Sequence, residues 1–503
     1  MDAEEAQGAR MPHERLALGA VLVVAALARV LGLEHRSING GDEPFSLALA
    51  QRPFGDMLEL FQYEANGTLY SLVLWPLSRI SENEWVIRLP ALVAGVAAVA
   101  ALWWAGRLLV GPRAGLIAAA LLALNPFAIH QSQNARPFTM VMLFAILSFG
   151  ALCRAAGGGG RRWWVAYVAS TALAAYANVL AAGLLLPAHL VLVLTRRRDA
   201  LRSWAFAVAA TLVAMLPLVA LAVESRSRRN ALYWLDSPGP REVLIAAQDW
   251  STALSESKPL FALTLLVVAA VVVAAARAIH PGHWSLPVPP AVLAWALLVP
   301  ALLVLVAQIT PAFRSNYAIA ALPGLLLAVA ACLDRLPRQA LAVGLGALLL
   351  LGTTAHALQS TREVDEDWRS VAGWLQDERR PGDRVLIDIP GVTAGLAYYD
   401  PHFQSRDGLL PVLEWGDTPF PRDVVAFDDP EGYAGRTGPP PPAVIQRYAA
   451  GNRRLFVLFA EYVDRLQGDL PNGAAMRWAR RNCKVTEHDA VGISAYLVTG
   501  CPS

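Results

Sequence analysis

The stretch that decides the fold is residues 86–153, "VIRLPALVAGVAAVAALWWAGRLLVGPRAGLIAAALLALNPFAIHQSQNARPFTMVMLFAILSFGALC". Three apolar runs follow one another in it, at 86–106, 114–130 and 137–153. A helix needs about 20 apolar residues to cross a bilayer core about 30 Å thick. The junctions between the runs differ in kind: Arg107 and Arg113 mark the first, and Gln133, Asn134 and Arg136 crowd the second. Apolar runs of this length, with polar residues confined to their ends, predict membrane-spanning helices.

Working outward, runs of the same kind fall at 16–33, 163–177, 178–195, 203–223, 259–277, 287–309, 316–333 and 338–357, which makes eleven expected spans. The pair 163–177 and 178–195 is divided only by Asn178, and one long kinked helix there would invert everything downstream. The first run exceeds the apolar core of a signal peptide and has no small-residue cleavage site after it, so it reads as an anchor. Composition agrees: of 503 residues, 55% are hydrophobic and 16% charged, against about 45–50% and 25% in soluble domains. The mean hydropathy is +0.41.

Arginine placement sets the orientation. Arg107, Arg113, Arg154, Arg161, Arg162, Arg196, Arg197, Arg198, Arg202, Arg277, Arg335 and Arg338 fall in loops on one side, and only Arg136 and Arg314 in the short loops opposite. The positive-inside rule then puts the N-terminus in the cytoplasm, and residues 34–85, 224–258 and everything after 358 outside. Lysine is confined to Lys258 and Lys484, a sign of GC-rich, bacterial coding, so the expected location is a bacterial inner membrane. A formal charge of +2 gives no nucleic-acid partner. Four cysteines without a CxxC or a Cys/His cluster exclude a structural zinc or iron–sulfur site. Cys153 and Cys332 fall at cytoplasmic helix ends and read as packed. Cys483 and Cys501 both fall in the outer tail, a compartment that permits a disulfide between them.

The chain therefore divides into a transmembrane module, 1–358, with its first outer loop at 34–85, and an extracytoplasmic domain, 359–503. The tail reads as α/β: an amphipathic helix over 367–378, a turn at Pro381-Gly382-Asp383, the strand "RVLIDI" at 384–389, then helix, turn and strand again in "AVIQRYAAGNRRLFVLFA" at 443–460. The proline run at 439–442 reads as a loop. No GxGxxG, P-loop or GxSxG occurs in the tail.

In so apolar a chain the informative groups are charges beside the spans on one side. In "INGGDEPFSLAL" at 38–49, Asp42 and Glu43 stand together before an amphipathic stretch. A carboxylate held at the membrane surface can act as general base on a hydroxyl or ligate a divalent cation; equally, Asp42 can cap a helix that begins near Pro44. In "HQSQNARPFTM" at 130–140 an outward-facing Arg136 precedes a helix entrance, and "QITPAFRSNY" at 308–317 repeats the situation with Arg314 and Tyr317. Each arginine either holds a phosphate or snorkels at the interface; neither was required by the charge rule. Glu64, Asn66 and Tyr70, in "QYEANGTLYSLVLWPLS" at 62–78, and Gln133 and Asn134 offer contacts to a sugar or an acceptor, or simply a solvated face. Arg88 and Pro90 begin the second span and read as structural. Arg226, Arg228, Arg229, Tyr233 and Trp234 form an interfacial segment suited to lipid headgroups. His130 and His189 are lone histidines near span ends and read as packed.

Taken in order, "GDEP" at 41–44, "EWVIRLPALVAG" at 84–95, "NPFAIHQSQNARPFTMVMLFAILS" at 125–148 and "FRSNYAIAALPGLLL" at 313–327 resemble the C-type, polytopic glycosyltransferases. The sequence is similar to the bacterial branch of the superfamily that holds protein O-mannosyltransferases and lipid A aminoarabinose transferases. The likeness covers about residues 10–375, since "EDWRSVAGWLQDERRPGDRVLI" at 366–387 also looks like the start of the outer domain often attached to these proteins. The resemblance implies transfer of a sugar from a polyprenyl-phosphate donor to a glycan, lipid or protein acceptor on the outer face, with inversion. It implies Asp42 as general base, Glu43 as its neighbour orienting the acceptor or binding a cation, and Arg136 and Arg314, with Tyr317, on the donor phosphate. The family usually shows tyrosine where Phe138 stands, and His or a Pro pair near Asn66-Gly67. No metal is assigned. A transporter or flippase of lipid-linked sugars is the alternative; it calls for discontinuous helices and polar groups at the midplane, where these runs are apolar. A third reading is a receptor or assembly protein that works through its tail.

Overall fold

The computed structural model describes residues 3–38, 42–62, 65–228, 238–252, 257–279, 287–309, 313–362, 366–387, 393–404, 410, 424–426, 442–450, 453–460 and 473–502. The helices run α1 (Ala3–Val30), α2 (Asp42–Gln51), α3 (Phe54–Leu60), α4 (Thr68–Ser78), α5 (Glu84–Leu109), α6 (Pro112–Ala123), α7 (Pro126–Ser132), α8 (Phe138–Ala156), α9 (Arg161–Ala177) and α10 (Ala181–Arg196). They continue as α11 (Leu201–Ala214), α12 (Leu216–Arg228), α13 (Pro240–Thr252), α14 (Lys258–Ile279), α15 (Pro290–Ala307), α16 (Leu322–Asp334) and α17 (Arg338–Arg362). The C-terminal part holds α18 (Trp368–Glu378), β1 (Arg384–Ile387), α19 (Thr393–Tyr399), β2 (Val424–Ala426), α20 (Pro442–Ala449), β3 (Leu455–Ala460), α21 (Ala474–Asn482), β4 (Lys484–Ala490) and β5 (Ile493–Thr499). Two compact units emerge. The first is Met1–Leu31, Phe61–Tyr70 and Arg88–Arg362; the second is Gly32–Leu60, Ser71–Ile87 and Glu363–Ser503. The second unit thus takes in most of the loop after α1 as well as the tail that the sequence marks off near 358.

In the first unit every one of the eleven expected runs is helical, but not every one is a straight span. Among the described residues five helices are long and apolar enough to cross a membrane, or seven if each of two bent pairs counts as one span. The first bent pair, α6 and α7, replaces the expected single run 114–130 and turns by 61°. The second, α11 and α12, replaces 203–223 and turns by 48°. Both breaks have a chemical cause. Pro126 has no N–H to continue the ladder and forces Asn125 out of the helical region, to φ −71° and ψ 119°. Pro217 follows the second break at Met215 by two residues.

A broken helix exposes carbonyls, and in an apolar bundle these need partners. Arg29 of α1 supplies them at the first break. It is fully buried, and its guanidinium donates to the carbonyls of Ala123 (3.1 Å) and Leu122 (3.4 Å), to Ala25 O of its own helix, and to Ser132 Oγ of α7 (3.0 Å). Helix α5 approaches the same point through Gly95, where an added Cβ would lie 2.1 Å from Ser132 Oγ. At the second break the Tyr176 hydroxyl donates to Ala214 O at 3.1 Å, and Met215 and Leu218 pack on Ala65, Ala175 and Ala182.

The pair over 163–195 resolves into two helices that fold back on one another. Tyr167 and His189 lie 22 residues apart; in one continuous helix they would be about 33 Å apart. Instead Tyr167 Oη and His189 Nδ1 are 3.3 Å apart. Asn178, in an extended conformation, ends α9. His189 is fully buried and its Nε2 lies 3.1 Å from Ser148 Oγ, while Trp204 Nε1 donates to Tyr167 Oη at 3.1 Å. The histidine is packed and hydrogen-bonded. Arg29 and this His–Tyr–Ser group are polar groups buried inside the first unit. Discontinuous helices therefore do not by themselves separate a transporter from an enzyme in this chain.

In the second unit the strands form one sheet in the order β2-β1-β3-β5-β4. β1 runs parallel to β2 and β3, and β5 antiparallel to β3 and β4. Central β5 is buried along nearly its whole length, while edge strand β4 is mostly exposed or half-buried, as one-sided edges require. Asp367 caps α18 by accepting from Ser370 N, and Gly382, at φ 95°, makes the turn into β1. Trp374 of α18 packs on Phe456 of β3 and stacks on His488 of β4. A disulfide joins Cys483 to Cys501, tying the start of β4 to the end of β5.

Replacing Arg29 with alanine removes the guanidinium donor from Ala123 O and takes one partner each from Leu122 O and Ser132 Oγ, a loss on the order of 3 kcal/mol. The expected outcome is a lower melting temperature for Arg29→Ala in lipid, with a smaller drop for Ser132→Ala. An unchanged melting temperature in Arg29→Ala would show that other groups satisfy the break.

Candidate functional site

In the first unit two of the donor-side candidates, Arg136 and Tyr317, meet at Phe138. Asn125 starts the construction: its Oδ1 caps α7 by accepting from Ala128 N (2.8 Å), and its Nδ2 donates to Trp250 O of α13 (2.8 Å). Trp250 then donates its indole N–H to Ser315 O at 3.0 Å. Helix α13 thereby ties the broken span to the turn 314–317, where Tyr317 N donates to Arg314 O at 3.1 Å. From that turn the Tyr317 ring reaches Phe138, with centroids 6.0 Å apart. The Arg136 guanidinium lies over the same Phe138 ring at 5.9 Å, an attractive cation–π separation. Phe138 is buried, and Arg136, Arg314 and Tyr317 are half-buried. The phenylalanine that departs from the family pattern thus serves as the apolar platform on which Arg136 and Tyr317 gather.

The structure gives the other first-unit candidates structural partners. Gln133 is buried and donates to Arg29 O (3.1 Å) and Leu31 O (3.2 Å), closing the last turn of α1. Asn134 Nδ2 lies 3.1 Å from His130 Nε2, and His130 is buried, as expected of a packed histidine. Asn66 Oδ1 accepts from Val179 N at 3.3 Å, beside Gly67 N donating to Ala177 O (3.2 Å) and Thr68 Oγ1 donating to Tyr176 O (2.9 Å). The segment thus holds the α9–α10 turn. Gly67 lies against Pro137, since an added Cβ would be 3.5 Å from its Cγ. Tyr70 and Arg88 are both buried at 1% exposure. Glu64, Arg229, Tyr233 and Trp234 lie outside the described residues.

In the second unit α2 begins at Asp42, two residues before Pro44, with Asp42 and Glu43 in its first turn. Carboxylates there complement the positive end of the helix dipole. Asp42 is exposed and Glu43 is 1% exposed, so of the two only Asp42 is open to an acceptor. At the other end of α2, Arg79 donates to Ala50 O (2.7 Å) and Arg52 O (2.6 Å), satisfying its terminal carbonyls. Among the described residues no group of three or more His, Cys, Asp or Glu gathers that could hold a metal ion.

Several structural residues escape a reading by motif. Arg29 had a signal, a charge inside the first apolar run. Trp250, Tyr399, Arg369 and Glu84 had none, because their partners lie far away in sequence.

Over 97% of this chain and 98% of its own length, the apo-state crystal structure of ArnT from Cupriavidus metallidurans superposes with a TM-score of 0.57 at 14% identity. The structure of ArnT from the same organism bound to undecaprenyl phosphate gives 0.54 at 14% identity, covering 95% and 97%. At such identity the likeness establishes the fold. A 51-residue stretch is 45% identical to the large ribosomal subunit protein eL21 of Thermoplasma acidophilum; it covers 10% of this chain and spans half the length of that relative, and it assigns nothing. Residues 67–222, which include the broken span, Arg136 and the Phe138 platform, match the family described as dolichyl-phosphate-mannose-protein mannosyltransferase. That match covers under a third of the chain, and inside this fold it makes the chain similar to the C-type membrane glycosyltransferases.

Proposed function

We propose that the chain transfers a sugar from a polyprenyl-phosphate donor to an acceptor hydroxyl with inversion at the anomeric carbon, on the extracytoplasmic face of a bacterial inner membrane. The observation that carries the reading is the gathering of Arg136 and Tyr317 on Phe138, with Arg314 in the same turn as Tyr317. The undecaprenyl phosphate in the second ArnT structure supports a lipid phosphate as the group these arginines serve.

Asp42 takes the proton from the acceptor hydroxyl as the oxygen attacks the anomeric carbon. The bond from that carbon to the phosphate oxygen breaks, and the lipid phosphate leaves with the electron pair. A phosphate is already a weak base, so its departure needs neutralised charge more than a proton, and guanidiniums meet that need. One carboxylate base and two arginines cover both demands. Tyr317 offers a hydroxyl beside the phosphate, Glu43 supports Asp42 from the buried side of the same helical turn, and Asn134 is the polar group left for sugar contact near Arg136. The acceptor class is a glycan, a lipid or a protein.

Asp42→Asn is expected to slow transfer about 10²–10⁴-fold, with melting temperature and binding of undecaprenyl phosphate unchanged; a mutant that still turns over places the base elsewhere. Arg136→Ala and Arg314→Ala should each weaken binding of undecaprenyl phosphate by about tenfold or more, the value of one charge-assisted contact. Unchanged binding in both would make them interfacial anchors. Trp250→Phe keeps an aromatic side chain and removes the N–H that holds Ser315, so binding should weaken about two- to tenfold. Wild-type affinity in that variant would show that the turn 314–317 is held by other means.

A further inference from the structure

We propose that the C-terminal α/β domain positions the helix that carries Asp42, with Tyr399 as the central positioning residue. The inference rests on the reading of Asp42 as the base. Its physical content lies within the second unit, where the chain just before α2 and the chain just after it are both fastened to residues of the tail.

On the N-terminal side the fastening point is Ser37-Ile38, both buried. Ile38 N donates to Tyr399 Oη at 2.7 Å, and Ser37 Oγ donates to the same oxygen at 3.2 Å. Tyr399 in turn donates its proton to one carboxylate oxygen of Glu84. The other Glu84 oxygen accepts from Arg369 Nη2 at 2.6 Å, and Arg369 N donates to Ser37 Oγ at 3.2 Å. The ring Ser37, Tyr399, Glu84, Arg369 is closed, and Tyr399 Oη both accepts and donates. Burial pushes the Tyr399 phenol above its ordinary value and the neighbouring Glu84 carboxylate adds to the effect, so the donor stays protonated through neutral and mildly alkaline pH.

On the C-terminal side the tail grips α2 by reciprocal bonds. Leu410 N donates to Gln51 Oε1 at 2.9 Å, and Arg52 Nη2 donates to Leu410 O at 3.1 Å. Gln51 Nε2 also donates to Glu82 Oε2 at 2.9 Å, and Tyr398 Oη donates to Glu82 O at 2.7 Å. A ten-residue helix held in this way has little freedom to translate or rotate. That matters for a general base, because a misplacement near 1 Å can cost about a hundredfold in rate. The tail, which carries no catalytic motif of its own, thereby acquires a part in the reaction.

The test uses full-length protein in lipid, comparing wild type, Tyr399→Phe and Ser37→Ala. Three readouts are taken: transfer from a panel of undecaprenyl-phosphate sugars, binding of undecaprenyl phosphate, and backbone hydrogen exchange of residues 36–52. The expected result is turnover reduced about 10- to 100-fold, unchanged phosphate binding, and faster exchange over 36–52 while β1, β3 and β5 keep their protection. Unchanged exchange over 36–52 in both variants overturns the proposal, and so does faster exchange with wild-type turnover. A parallel loss of phosphate binding also overturns it, since the effect would then be general. Should Asp42→Asn remain active, the base assignment fails by itself, and the exchange readout still decides whether the tail holds the helix.

Discussion

The first unit depends on a buried guanidinium. A transmembrane helix that breaks in the apolar interior leaves carbonyls with no water to accept from, so the break persists only where another group donates to them. Arg29 does this for the α6–α7 break, and its own charge is spread over four acceptors. The consequence runs outward in steps. The break re-aims α7, Gln133 closes the end of α1, and the chain emerges at Arg136 and Pro137 with Phe138 starting the next helix. The placement of Arg136 and Phe138 thus follows from a buried polar contact near the end of α1.

The second break follows the same rule with a neutral donor. Tyr176 satisfies Ala214 O, and the apolar side chains at Met215 and Leu218 fill the corner around Ala65 and Ala182. Segment 65–68 fastens the turn between α9 and α10. Polar residues near span ends therefore divide into two groups. Gln133 and Asn66 make hydrogen bonds to backbone, whereas Arg136 and Tyr317 meet on the Phe138 ring and Arg314 shares the turn of Tyr317.

The second unit shows how a loop and a tail distant in sequence become one body. Ser37, Glu84, Arg369 and Tyr399 come from three separate stretches and close a single hydrogen-bonded ring. The sheet of the same unit is built from short strands and one disulfide-tied hairpin.

The positions of the apolar helices were legible in the sequence, because lipid demands long uninterrupted apolar runs and few other constraints produce them. Two helix–strand pairs of the tail, α18 with β1 and α20 with β3, were legible too, since capping, turn and periodicity signals are local, whereas α19, β2, α21 and the β4–β5 hairpin were not read. The C-type resemblance was carried by ordered short motifs around Asp42, Arg88, Arg136 and Arg314. The bends were half legible: Asn125-Pro126 and Pro217 announce a disturbance, but whether a proline only kinks a helix or breaks it depends on who satisfies the freed carbonyls. Only the tertiary structure decided that Arg29 and Tyr176 do so, that Gln133 and Asn66 serve the backbone, and that Tyr399 and Arg369 reach the loop before α2. Sequence alone determines where chain segments prefer lipid, water, helix or strand, since those preferences are local. Which polar groups meet across tens or hundreds of residues is settled by packing, because a hydrogen bond is specified by position in space and leaves no periodic trace along the chain.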